Sequence, residues 1–136
     1  MNTNFLLLSL ALGIYFAAAH DCPESHFLVD NRCFAFVHER VEFEEARKEC
    51  AKMGYDLVSI HDMISNHYAQ QLAHIALGSM YGSFWIGLFK ERETWKWVDS
   101  TLIDYTNWAW GNNPAKKCAT MRISDGKWIT ADCETS

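Results

Sequence analysis

Phe84-Trp85-Ile86-Gly87-Leu88, near the middle of the chain, is a short uncharged run of large apolar side chains interrupted by one glycine. It reads as a strand. Further strand-like runs follow at residues 94–98, 118–123 and 127–130, the last two joined through Asp125-Gly126, a strong hairpin signal. Upstream the period changes. Phe43, Ala46, Cys50 and Met53 recur at helical spacing, Glu44 and Lys48 stand four apart, and Gly54 follows as a helix stop, so a first helix is expected with Cys50 on its buried face. Asp62 can cap a second helix whose Ile64, Tyr68, Leu72 and Ile75 form one apolar stripe, with Gly78 ending it. Before both helices, residues 27–29 and 33–37 flank the polar Asp30-Asn31-Arg32, the pattern of an opening hairpin. Two helices followed by small antiparallel sheets make an α+β domain.

Residues 5–19 form an uncharged apolar run ending in Ala17-Ala18-Ala19. Residues 1–19 therefore read as a signal peptide cleaved after Ala19, although the basic residue common near the start of such segments is absent. The run is shorter than the about 20 apolar residues of a membrane span, so no membrane anchor is expected. Residues 20–136 are then one secreted, extracellular domain. In that oxidising compartment Cys22, Cys33, Cys50, Cys118 and Cys133 should form disulfides, and five cysteines leave one thiol over. With 12 Lys plus Arg against 17 Asp plus Glu the chain is mildly acidic. That balance argues against a nucleic-acid partner, whose phosphates attract a basic face.

Taken in order, Asp21-Cys22-Pro23, the Cys50 helix, Leu57-Val58-Ser59-Ile60-His61, Trp85-Ile86-Gly87-Leu88, Asn107-Trp108 before Gly111, Cys118, and Gly126-Lys127-Trp128 before Cys133 resemble the C-type lectin-like domain over nearly the whole of residues 20–136. The resemblance implies that Cys22 joins Cys33 and Cys118 joins Cys133. It also implies a sixth cysteine, on a final strand that pairs with the opening strand, as partner of Cys50. That strand is not in the sequence, so Cys50 is expected to be unpaired. Two explanations follow: a truncated product, or a strand and thiol taken from another chain. A disulfide-linked oligomer through Cys50 is the corresponding expectation.

Sugar-binding members of the family hold calcium with oxygens from an X-Pro-X tripeptide and from an Asn-Asp pair after a tryptophan, since calcium takes about 6–8 oxygen ligands. Asn113-Pro114-Ala115 occupies the first position and Trp128-Ile129-Thr130 the second, so Ala115 and Ile129 carry no oxygen and Thr130 replaces the acid. Lys116 and Lys117 stand where the family often places a carboxylate. Calcium is therefore not expected at this site, and no cofactor is expected. Asn113 reads either as a residual ligand or as a loop amide satisfying its own turn. Lys116 and Lys117 read either as an anion contact or as a solvated edge.

Trp110, beside this loop and outside the shared pattern, is the tryptophan expected to be exposed, while Trp85, Trp108 and Trp128 sit where the family buries them. Trp110, Asn112, Asn113, Lys116 and Lys117 are thus the candidate ligand-binding residues. His61, His67 and His74 lack the i,i+4 spacing of a helical zinc site. No nucleophile motif organises a catalytic site. The reading is a non-catalytic recognition module for a carbohydrate or a protein surface; a weakly calcium-dependent glycan lectin is the alternative, and a secreted hydrolase the alternative of another class.

Overall fold

The computed structural model describes residues 22–78 and 81–135. The expected signal peptide lies outside the described residues. Two compact units divide at Ala35 and Phe36.

In the first unit, β1 (Phe27–Val29) and β2 (Arg32–Phe34) form an antiparallel hairpin in which Leu28 faces Cys33. Asp30 and Asn31 both take positive φ, as a two-residue turn between right-twisted strands requires. The second strand stops at Phe34, short of the expected Val37. A Cys22–Cys33 disulfide closes the unit.

The second unit contains α1 (Phe43–Lys52), α2 (Met63–Leu77) and a four-stranded antiparallel sheet of β3 (Ser83–Glu91), β4 (Thr94–Trp97), β5 (Cys118–Arg122) and β6 (Trp128–Ala131) in the order β4-β3-β5-β6. Cys118 and Cys133 are bonded, fixing the chain beyond β6 to the start of β5. Phe43, the buried residue of α1, packs edge-on against Trp85, and its N–H reaches the Cys133 carbonyl at 2.9 Å. Cys50 is free and half-buried rather than fully turned inward, and Met53 is exposed. Burial, then the nearby Asp56 and Glu49, push the Cys50 thiol above its ordinary pKa. The expected Glu44–Lys48 pair is replaced by i,i+3 contacts: Lys48 meets Glu45 at 2.9 Å and Arg47 meets Glu44 at 3.7 Å.

In α2 the Asp62 carboxylate accepts from the Ser65 N–H at 2.7 Å, the N-cap expected for this helix. Of the stripe expected on its core face, Leu72 is buried, and the other three positions are corrected. Ile64 and Ile75 are 60% and 68% exposed and Tyr68 is exposed as well, whereas Asn66, Ala69, Leu72, Ala73 and Leu77 are buried. The Asn66 amide on this face meets partners on the hairpin: its Oδ1 accepts from Trp128 Nε1 at 2.7 Å and its Nδ2 donates to the Gly126 carbonyl at 3.1 Å.

The core joins Ile60, Ile86, Leu88, Trp97, Ala119, Met121 and Trp128. Gly87 marks where β3 leaves β5, between the Trp85 and Phe89 pairings. Its N–H donates to the Val58 carbonyl at 2.8 Å and its carbonyl accepts from the Val98 N–H at 2.8 Å. A Cβ on Gly87 would stand 2.8 Å from the Leu57 carbonyl oxygen and 2.7 Å from Val98 Cγ2. Backbone that close cannot yield as a flexible side chain does. Gly87→Ala is accordingly expected to lose about 1–3 kcal/mol or more, the range for overpacking a filled interior, read as a lower midpoint in denaturant with the slope unchanged.

Candidate functional site

The segment from Asn107 to Lys117 carries the candidate residues, and its shape is set by β6 and β3. Segment 107–109 lies beside β6: the Trp128 N–H donates to the Asn107 carbonyl at 2.9 Å and the Ala109 N–H to the Trp128 carbonyl at 2.8 Å. Asn112 then ties the chain down by its side chain. Its Oδ1 accepts from the Thr130 N–H at 2.9 Å, while Nδ2 donates to the Ala109 carbonyl at 3.0 Å and the Trp128 carbonyl at 3.3 Å. The amide hydrogens of Asn112 are therefore taken within the chain, by the loop at Ala109 and by β6 at Trp128.

Asn113 is exposed and follows the same logic. Its Oδ1 accepts from the Ala115 N–H at 2.9 Å, a side-chain turn of the type asparagine favours, and its own N–H donates to Thr130 Oγ1 at 2.9 Å. Thr130, at the position of the family's acid, is thus an internal partner of both asparagines. Lys116 and Lys117 are exposed. Trp110 is fully exposed.

An open cavity of about 330 Å³ lies between this loop and the sheet, walled by Lys90, Trp95, Trp108, Asn113, Pro114 and Thr130. Trp95 and Trp108 stand with ring centroids 4.9 Å apart, and Trp108 meets Trp128 edge-on at 5.7 Å. Lys90 enters from β3. Its backbone N–H donates to the Lys117 carbonyl at 2.7 Å, its ammonium donates to the Pro114 carbonyl at 2.6 Å, and the same ammonium sits 5.3 Å from the centre of the Trp95 ring. Of the sequence candidates, Asn112 and Asn113 line the cavity and Trp110 does not. Sequence reading did not single out Lys90, Trp95, Trp108 or Thr130 as site residues. The available signal for Lys90 was a lysine in line with an apolar strand, two residues beyond Leu88.

The histidines are placed apart from this cavity's walls. His61 Nδ1 lies 2.8 Å from Asp104 Oδ1 and Nε2 lies 3.1 Å from Thr101 Oγ1. The hydrogen bond with His61 holds the Asp104 carboxyl below its ordinary pKa. A carboxylate, imidazole and hydroxyl in a row suggest a hydrolase relay, but the Thr101 hydroxyl donates its hydrogen to Asp99 Oδ1 at 2.6 Å and has none to give His61. His67 and His74 are exposed, and among the described residues no three His, Cys, Asp or Glu side chains are grouped to hold a metal ion.

The family described as "Lectin C-type domain" matches residues 39–136. The chain belongs to the C-type lectin domain family. It is 30% identical to the galactose-specific lectin nattectin of Thalassophryne nattereri, over 97% of this chain and 89% of that protein. It is 27% identical to the CD302 antigen of Bos taurus, over 96% of this chain and 60% of that protein, so the chain spans less than two thirds of that relative's length. Among solved structures, human lithostathine superposes with a TM-score of 0.81 and 25% identity, covering 88% of each chain.

In this C-type lectin domain the X-Pro-X loop is held by hydrogen bonds within the chain. Removing Asn112 should therefore loosen the loop and cost stability, whereas Trp110 should be neutral. Asn112→Ala is expected to lose about 1–3 kcal/mol, because it leaves the half-buried Thr130 N–H unpaired. Trp110→Ala is expected to stay within about 0.5 kcal/mol of the parent, as exposed substitutions do. Paired thermal melts of the two variants check both outcomes.

Proposed function

We propose that the chain is a secreted, non-catalytic recognition module that binds a saccharide in the cavity between the Trp95 and Trp108 rings and the Asn113-Pro114 loop, without calcium. The observation that carries this reading is the way the loop is held. Asn112 and Thr130 fix it from inside, Ala115 and Ile129 supply no side-chain oxygen, and Lys90 places an ammonium at the cavity wall. A divalent ion would meet that cation and a depleted ligand set. Indole faces suit the apolar face of a pyranose ring. The word galactose in the name of nattectin supports a sugar as the ligand class.

Secretion is supported by the apolar leader over residues 5–19 and by the two disulfides. Trp110, Lys116 and Lys117 are assigned to the rim of the ligand surface, where exposed side chains contact the parts of a glycan that project from the cavity. For assembly, the proposal is a disulfide-linked pair through Cys50. The raised thiol pKa makes that bridge slow at neutral pH, since the thiolate is the attacking species.

Calorimetry and thermal melts, with calcium against chelator, test the calcium part. The expected result is no heat of binding and an unchanged midpoint. Calcium at a hundred times its dissociation constant would stabilise a binding-competent fold by about 2.7 kcal/mol, and a shift of that size would overturn the reading. Immobilised galactose-terminated glycans should retain the protein in chelator, and Trp108→Ala should weaken that retention.

A further inference from the structure

We infer that the cavity selects a saccharide bearing an acidic group, a carboxylate or a sulfate ester, and that Lys90 is the residue that reads its charge. The inference rests on the saccharide reading above and adds the sign of the ligand to it.

Lys90 is unusual for a lysine in being almost withdrawn from water: its side chain is 10% exposed. Its ammonium has three hydrogens to donate. The Pro114 carbonyl takes one at 2.6 Å, and the Trp95 ring lies beneath the charge at 5.3 Å. The acid nearest to it, Glu93, stands 3.8 Å away, beyond hydrogen-bond distance, on a side chain that is itself 78% exposed. A charge this buried is costly unless it is paired and hydrogen-bonded. Among the described residues no acid completes that pairing within hydrogen-bond distance. An anionic oxygen entering the cavity could, through a short charge-assisted hydrogen bond.

The surroundings have the matching sign. The chain as a whole carries a net charge of −5, yet Lys116 and Lys117 follow directly on the loop that caps Lys90, and the Lys117 carbonyl is bonded to the Lys90 N–H. Among the described residues neither Lys116 nor Lys117 has an acidic partner. This corner is therefore locally basic on an acidic molecule, and it would draw an anionic ligand toward the cavity mouth. The uncharged walls suit the rest of such a ligand, with Trp95 and Trp108 for the ring face and Thr130 and Asn113 for hydroxyls. A neutral sugar would gain the stacking but leave the ammonium with only the long ion pair to the exposed Glu93 as counter-charge.

Binding is measured in chelator with three immobilised conjugates: galactose, sialic-acid-terminated galactose and sulfated galactose. Both acidic conjugates are expected to bind about tenfold or more tighter than galactose at about 0.05 M salt, with the advantage shrinking severalfold at about 0.5 M. A preference for only one of them identifies which acid fits. Lys90→Met, which keeps the stem and removes the charge, should abolish the acidic preference, so that the variant binds both acidic conjugates no tighter than it binds galactose. Glu93→Gln should strengthen acidic binding by about two- to fivefold by removing the competing carboxylate. Should Lys90→Met unfold through loss of the Pro114 contact, the double variant Lys116→Ala, Lys117→Ala, made at exposed positions, must still lower the acidic preference by about threefold. Equal, chelator-resistant binding of all three conjugates would overturn the charge inference and leave the saccharide reading standing. Binding of none would overturn both.

Discussion

The Trp128 indole is wholly buried, and its one polar atom finds the Asn66 amide 2.7 Å away on α2. An indole N–H in an apolar interior without a partner would be costly. The same amide holds the Gly126 carbonyl at the β5–β6 turn, so one side chain registers the helix against the hairpin. Around the ring stand Trp97, Tyr105 and Trp108 at 5.5–5.7 Å, each nearly perpendicular to it. The backbone of Trp128 in turn holds Asn107 and Ala109 in place. Helix, sheet and candidate loop are thus referred to one residue, and the position of the cavity follows from it.

This dependence explains which parts of the molecule could be read from the amino-acid order. The β5–β6 hairpin is legible because Asp125-Gly126 must turn, and Gly126 does take φ 69°. The start of α2 is legible because Asp62 has one obvious task, to cap. The buried face of α2 is not legible from apolar spacing, because Ile64, Tyr68 and Ile75 repeat at helical intervals yet are exposed. The buried face joins two leucines and two alanines to an asparagine whose partner lies 62 residues away, a contact no local pattern announces. The i,i+4 pairing of Lys48 likewise gave way to Glu45, one turn position closer.

At the loop, the loss of a side-chain oxygen at Ala115 and Ile129 and of the carboxylate at Thr130 is visible directly in the sequence. What replaced them was not. Asn113 accepts a hydrogen bond from Ala115 within its own turn, and only the fold reveals that Asn112 and Thr130 lock together and that Lys90 arrives from a strand 20 or more residues earlier. Long-range side-chain bonds of this kind depend on register between strands, and register is set by packing.

The bonds from Asn112 to Thr130, Ala109 and Trp128 have a kinetic side. A loop organised by an ion exists in two forms, loaded and empty, and its shape follows the ion's concentration and exchange rate. A loop organised by an amide of the same chain takes shape when β6 does. On the calcium-free reading proposed above, the candidate loop is therefore complete as soon as its sheet has formed, with no later loading step to wait for and no empty form to which it can revert.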